Sequence, residues 1–125
     1  MELASCAFGQ SSKVSYLQML TAVAAIVNGG RLMQPYVVAR ITDAEGNTVS
    51  KTLPKVKTQV ISAETSATMR KLMAGVVAEG TGKNAAVAGY RVGGKSGTSQ
   101  KLDSADERAR IASFVAVAPI DDPQL

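Results

Sequence analysis

Apolar positions along this chain follow two different periods. Between Tyr16 and Val27, the residues Leu17, Leu20, Ala24 and Val27 recur at helical spacing and share one face. Local signals frame that stretch. Ser15 and Gln18 form a capping box, Val14 and Met19 the hydrophobic staple beside it, and Asn28-Gly29-Gly30 supplies residues suited to a left-handed helix end. Small residues at Ala22, Ala24 and Ala25 allow close packing, which predicts an interior helix. A second helical pattern, Met69, Leu72, Met73, Val76 and Val77, follows Ser62 as cap and runs to about Glu79, with Gly80 as C-cap.

Elsewhere the period is two. Tyr36 to Thr42 and Thr48 to Leu53 flank the turn residues Asp43 to Asn47, which predicts a hairpin over about 36–53, peripheral because its flanks are polar. Ile111 to Ala118 is apolar on both faces except at Ser113 and is stopped by Pro119, the pattern of a central strand. Residues 1–13 and the mixed-charge segment Lys101 to Arg110 lack a period and read as a loop and a solvated excursion. Thr81 to Asn84 fits a cleft rim and a plain helix-ending turn equally well, and Ala85 to Ala88 is a short apolar bridge. The elements together predict an α/β protein in the broad sense (α+β), with helices packed on a small, mainly antiparallel sheet.

Composition narrows the function classes. The chain has 125 residues, 46% of them apolar and 19% charged, which suits one domain and argues against disorder. Its net charge of +4 is spread along the chain without a basic stripe, so nucleic acid is not an expected partner. Cys6 is the only cysteine and histidine is absent, so no internal disulfide, zinc site or other metal site is expected, and no cofactor. Cys6 reads as an inert small residue, Met69 and Met73 as core fillers, and Asp121-Asp122 as too isolated for a metal. Without histidine, acid-base chemistry falls to lysine or carboxylates. The apolar run Met19 to Val27 is far short of the roughly 20 residues that span a bilayer, and no signal peptide or anchor is read in the chain.

The chemistry concentrates at Gly93-Gly94-Lys95-Ser96-Gly97-Thr98-Ser99, a fixed cation among small hydroxyl residues and glycines, suited to holding an anion. Two sites use such a set. Gly89 to Ser96 matches the phosphate-loop spacing G-x-x-x-x-G-K-[ST], which requires a helix starting at the lysine. Gly97, Thr98 and Ser99 make a poor first helical turn, and no apolar face follows before Ile111. The other reading is an extended strand that grips a carboxylate, with Gly97 leaving room for a ligand and a hairpin partner in the strand at Ile111.

Nearly the whole chain resembles the transpeptidase domain of class B penicillin-binding proteins, especially the sporulation and elongation types of Gram-positive bacteria. The resemblance rests on Phe8-Gly9-Gln10 with Ser15-Tyr16-Leu17-Gln18, on Met33-Gln34-Pro35-Tyr36, on Gly80 to Asn84, on Gly89 to Thr98, and on Ala112 to Pro119. It implies an acyl transferase that cross-links peptidoglycan: a serine of an S-x-x-K motif attacks the D-Ala-D-Ala bond, D-alanine leaves, and the acyl group passes to an amine. In that setting Lys95 supplies positive potential, Ser96 and Thr98 hydroxyls bind the terminal carboxylate of stem peptide or β-lactam, Gly97 lets the ligand pass, and the Thr98 amide helps form the oxyanion hole.

The chain departs from the family pattern in having no S-x-x-K and no S-x-N. The resemblance therefore implies the C-terminal part of the domain, without its nucleophile and inactive alone. Its expected ligands are a stem peptide or β-lactam in the intact parent, which works outside the cytoplasmic membrane on an anchor, whereas this chain is expected to be soluble. Open strand edges make a homodimer the expected partner arrangement. A phosphate-loop nucleotide-binding protein and a non-catalytic peptide-binding module are the alternative functions.

Overall fold

The computed structural model describes residues 3–4, 13–101, 105–106 and 108–124. Helix α1 spans Tyr16–Val27 and begins as its capping box requires. The Ser15 Oγ accepts the Gln18 amide at 3.2 Å, and the Ser15 amide donates back to Gln18 Oε1 at 2.8 Å. At the far end Asn28 N–H donates to Ala24 O and Gly30 N–H to Ala25 O, both at 3.0 Å, while Gly29 and Gly30 take φ of +90° and +91°. The interior position expected for α1 holds only for its last turns. Ala25 and Val27 are buried, but Tyr16, Leu17, Met19 and Leu20 are exposed.

Gly30 turns the chain into two strands that the residue pattern does not announce. Strand β1, Arg31–Met33, pairs antiparallel with β4, Val56–Gln59, with an irregularity between Leu32 and Met33. Their sequences, Arg-Leu-Met and Val-Lys-Thr-Gln, are too short and too polar to show alternation. They are held by context: Val60 N–H donates to Gly30 O at 2.8 Å and Gln59 Nε2 to Gly29 O at 2.8 Å. Between them, β2 (Arg40–Thr42) and β3 (Thr48–Lys51) form an exposed hairpin. Asp43 closes its turn by accepting the Asn47 amide at 2.7 Å, and Gly46 takes φ +87°. Both strands are shorter than the pattern suggests, with Tyr36 to Ala39 outside β2 and Thr52-Leu53 outside β3.

Helix α2, Ala63–Ala78, starts with Ser62 Oγ accepting the Thr65 amide at 3.0 Å. Its buried stripe is Ser66, Met73 and Val77, whereas Leu72 is 61% exposed. The stripe includes a polar contact: the fully buried Ser66 Oγ accepts the amide of Gly29, just past the end of α1, at 3.0 Å. Glu79, not Gly80, occupies the cap position, and Gly80 instead permits a close turn, since a Cβ there would lie 2.9 Å from Val76 O. A single 3-10 turn, Lys83–Ala85, comes next.

The long hairpin is β5, Gly93–Gln100, with β6, Arg110–Val117, in unbroken register from Gly93 opposite Val117 to Gln100 opposite Arg110. Among the described residues β6 has β5 as its sole strand neighbour, so the central position expected from its apolar faces is not observed. Val27, Met73, Val117 and Ile120 form the core, with Val23, Ile26 and Ala74 packed around it. The turn after Pro119, which the residue pattern leaves without a destination, is tied down. Ile120 N–H donates to Arg91 O at 2.8 Å, the Asp121 carboxylate holds Arg91 at 2.6 Å, and Arg70 donates to Asp121 O at 3.0 Å. Among the described residues the architecture is thus α+β, with two main helices and three separate two-stranded antiparallel ladders.

Of residues 1–13, expected as a loop, Leu3 and Ala4 are helical; Cys6 and Phe8-Gly9-Gln10 lie outside the described residues. Lys101 N–H donates to Ala109 O at 3.0 Å, so the polar excursion closes the β5–β6 hairpin. Among the described residues no helix is long and apolar enough to cross a membrane.

Candidate functional site

Strand β5 runs from the core out to solvent. Gly93 and Gly94 are buried, Ser96 is half-buried, and Lys95 and Gly97 to Gln100 are exposed. The two buried glycines are packing residues. A Cβ on Gly93 would lie 2.5 Å from Ile120 Cδ1, and one on Gly94 would lie 2.5 Å from the Phe114 ring and from Val115 O. The same ring lies 3.1 Å from where a Cβ on Gly82 would sit. Phe114 is therefore gripped between the loop after α2 and the strand that carries the candidate residues.

That packing brings Thr81 to the site. Its Oγ1 lies 3.3 Å from Ser96 Oγ, and either oxygen can donate. The loop is fixed from behind by Gly82 N–H donating to Val76 O at 2.9 Å. Side chains alternate along a strand, so Ser96 and Thr98 share the face of Phe114, while Lys95 and Gly97 start on the opposite face. Lys95 turns back along the strand, and its Nζ donates to Ser96 O at 2.7 Å. Gly97 leaves space for Ser113, whose Oγ donates to Gly97 O at 3.3 Å and whose contact a Cβ would crowd to 2.9 Å.

Lys95, Ser96, Gly97 and Thr98 thus lie on one solvent-accessible strip of extended backbone. The ammonium and the two hydroxyls are carried on opposite faces of the strand. The phosphate-loop expectation is not met, because Lys95 lies within a strand and no helix begins there to present its amides. A second edge of β5 has no strand on it among the described residues. Concavities occur elsewhere. One of about 130 Å³ is lined by Arg70, Lys71, Arg91 and Asp121, and a shallower one of about 650 Å³ by Lys71, Lys83, Tyr90 and Arg91. Residue pattern alone did not separate Thr81 from a helix-ending turn, nor single out Phe114 and Ser113. The available signal was the pair of glycines around Thr81, which marks a close approach of backbone to something bulky.

Comparison with known proteins places the fold and strip in context. The family model of the penicillin-binding protein transpeptidase domain matches residues 1–125. Stage V sporulation protein D of Bacillus subtilis is 49% identical over 100% of this chain, which corresponds to 20% of that protein. The D,D-transpeptidase domain of a peptidoglycan glycosyltransferase from Eggerthella lenta superposes with a TM-score of 0.79 at 35% identity, over 93% of this chain and 28% of that one. Penicillin-binding protein A of M. tuberculosis, solved as its imipenem acyl-enzyme complex, gives a TM-score of 0.81 at 26% identity, over 98% of this chain and 27% of that one. The chain spans about a fifth of the length of the curated relatives it matches.

Proposed function

The chain belongs to the penicillin-binding protein transpeptidase family, and from that premise we propose that it forms the carboxylate-binding side of a peptidoglycan D,D-transpeptidase site. The observation that carries this reading is the extended course of Gly93–Gln100, which sets the Ser96 and Thr98 hydroxyls on one face, with the Lys95 ammonium reaching the strand backbone at Ser96 O. Ser96 and Thr98 donate to the terminal carboxylate of a stem peptide or β-lactam, Lys95 makes the strip electropositive, and the Thr98 amide serves the oxyanion that forms when the acyl carbon is attacked. The edge of β5 that no strand covers among the described residues accepts the ligand as an added strand, and Gly97 lets its backbone approach.

The nucleophile is not among these residues. No serine precedes a lysine by three positions anywhere in the chain, so the chain alone binds but does not acylate. In the intact parent the site faces the peptidoglycan outside the cytoplasmic membrane.

Incubation with a fluorescent penicillin and then intact mass measurement tests the missing nucleophile; the expected result is no covalent adduct, and a stoichiometric adduct overturns it. Binding is tested separately by titrating a D-Ala-D-Ala peptide against the amide spectrum. Ser96 and Thr98 should shift, and Lys95→Ala should weaken binding about tenfold, as for loss of a charged partner. Stabilisation by ATP in place of these effects would favour a phosphate site.

A further inference from the structure

The Thr81 hydroxyl has no assigned task in the site, yet it lies within hydrogen-bonding reach of the Ser96 hydroxyl. Its placement is built rather than incidental. Gly82 N–H is held by Val76 O, and the Phe114 ring fills the space that side chains on Gly82 and Gly94 would need, which ties the loop to β5. The two oxygens are 3.3 Å apart.

We infer that Thr81 is a positioning residue that makes Ser96 selective for an anion over a neutral ligand; this rests on the carboxylate-binding reading of β5. A serine hydroxyl has one proton. Without ligand, either hydroxyl of the pair can donate to the other. When a carboxylate reaches Ser96, the Ser96 proton is committed to it, and only Thr81 can then donate within the pair. The Thr81 proton passes into a hydrogen bond with the Ser96 oxygen, giving a directed chain from Thr81 through Ser96 to the carboxylate. Each bond polarises the next, and the chain is strongest when it ends on a charge. A carboxamide ligand, which can donate as well as accept, leaves the pair free to point either way and gains nothing from Thr81.

The test compares an acyl-D-Ala-D-Ala peptide with its C-terminal amide, titrated into the full chain by NMR. Thr81→Val keeps the shape and removes the proton, and should weaken the carboxylate peptide about threefold to tenfold, the range of one hydrogen bond. It should leave the amide peptide unchanged. Thr81→Ser restores the hydroxyl and should bind both ligands as the wild type does. The Gly82 and Phe114 resonances report whether the loop has moved. Equal loss of both ligands in Thr81→Val, or no loss of either, overturns the role of Thr81. A wild-type chain that does not prefer the carboxylate to the amide overturns the carboxylate reading itself.

Discussion

Gly94 and Gly75 show how differently one residue type serves at two positions. A Cβ on Gly94 would meet the Phe114 ring and Val115 O at 2.5 Å, whereas one on Gly75 would meet nothing within 4 Å. Gly94→Ala should therefore destabilise the chain by about 1–3 kcal/mol through overpacking. Gly75→Ala, inside α2, should stabilise it by about 0.5–1 kcal/mol through helix propensity. Urea unfolding of the two variants checks both signs. In sequence both read as small residues, and the glycines before Lys95 read as an invitation to an anion. Only the position of Phe114, a side chain 20 residues away in the chain, makes Gly94 a packing residue. The same holds at Ser66: as a polar residue it stands outside the apolar face read from the pattern, yet it is fully buried and accepts the Gly29 amide. Ser66→Ala should cost about 1–3 kcal/mol, because the amide is left without its acceptor in a buried place. A variant as stable as the parent in urea would show that the amide finds another partner.

Among the elements, those with complete local signals were legible. Helix α1 begins at the capping box and ends at the glycines, and α2 starts at Ser62, because these contacts lie within a few residues and do not depend on the rest of the fold. Ser15→Ala should lower the stability of α1 by about 1 kcal/mol, visible as reduced helicity when circular dichroism is recorded on warming. Strands β1 and β4 were not legible, since a three-residue and a four-residue strand have too few positions to display a period. They are held at one end by Val60 N–H donating to Gly30 O and Gln59 to Gly29 O, and at the other by Gln34 N–H donating to Lys55 O. Strand β5 is an intermediate case. Its residues suit a phosphate loop by spacing and a strand by the polar excursion and apolar run on their C-terminal side, and its unbroken pairing with β6 decides for the strand.

At the scale of the molecule, the accessible surface is 9816 Å², against roughly 6,300 Å² for a compact monomer of this mass. The excess includes large apolar side chains, among them Tyr16, Leu17 and Leu20 of α1 and Ile111 of β6, and it accompanies edges of β5 and β6 that no strand covers among the described residues. Apolar surface and open edges of that kind favour association. The isolated chain should form dimers or larger species as its concentration rises, which light scattering reads directly; a clean monomer at high concentration would count against this. What the sequence determined by itself was the local and the compositional: helix limits, the outer hairpin, the α+β class and, by resemblance, the family. Tertiary structure alone decided which faces are buried, that Asp121 holds Arg91, and that Thr81 stands beside Ser96. The reason is physical: caps, turns and periods depend on neighbours along the chain, while burial and side-chain meetings depend on residues brought close only when the chain closes on itself.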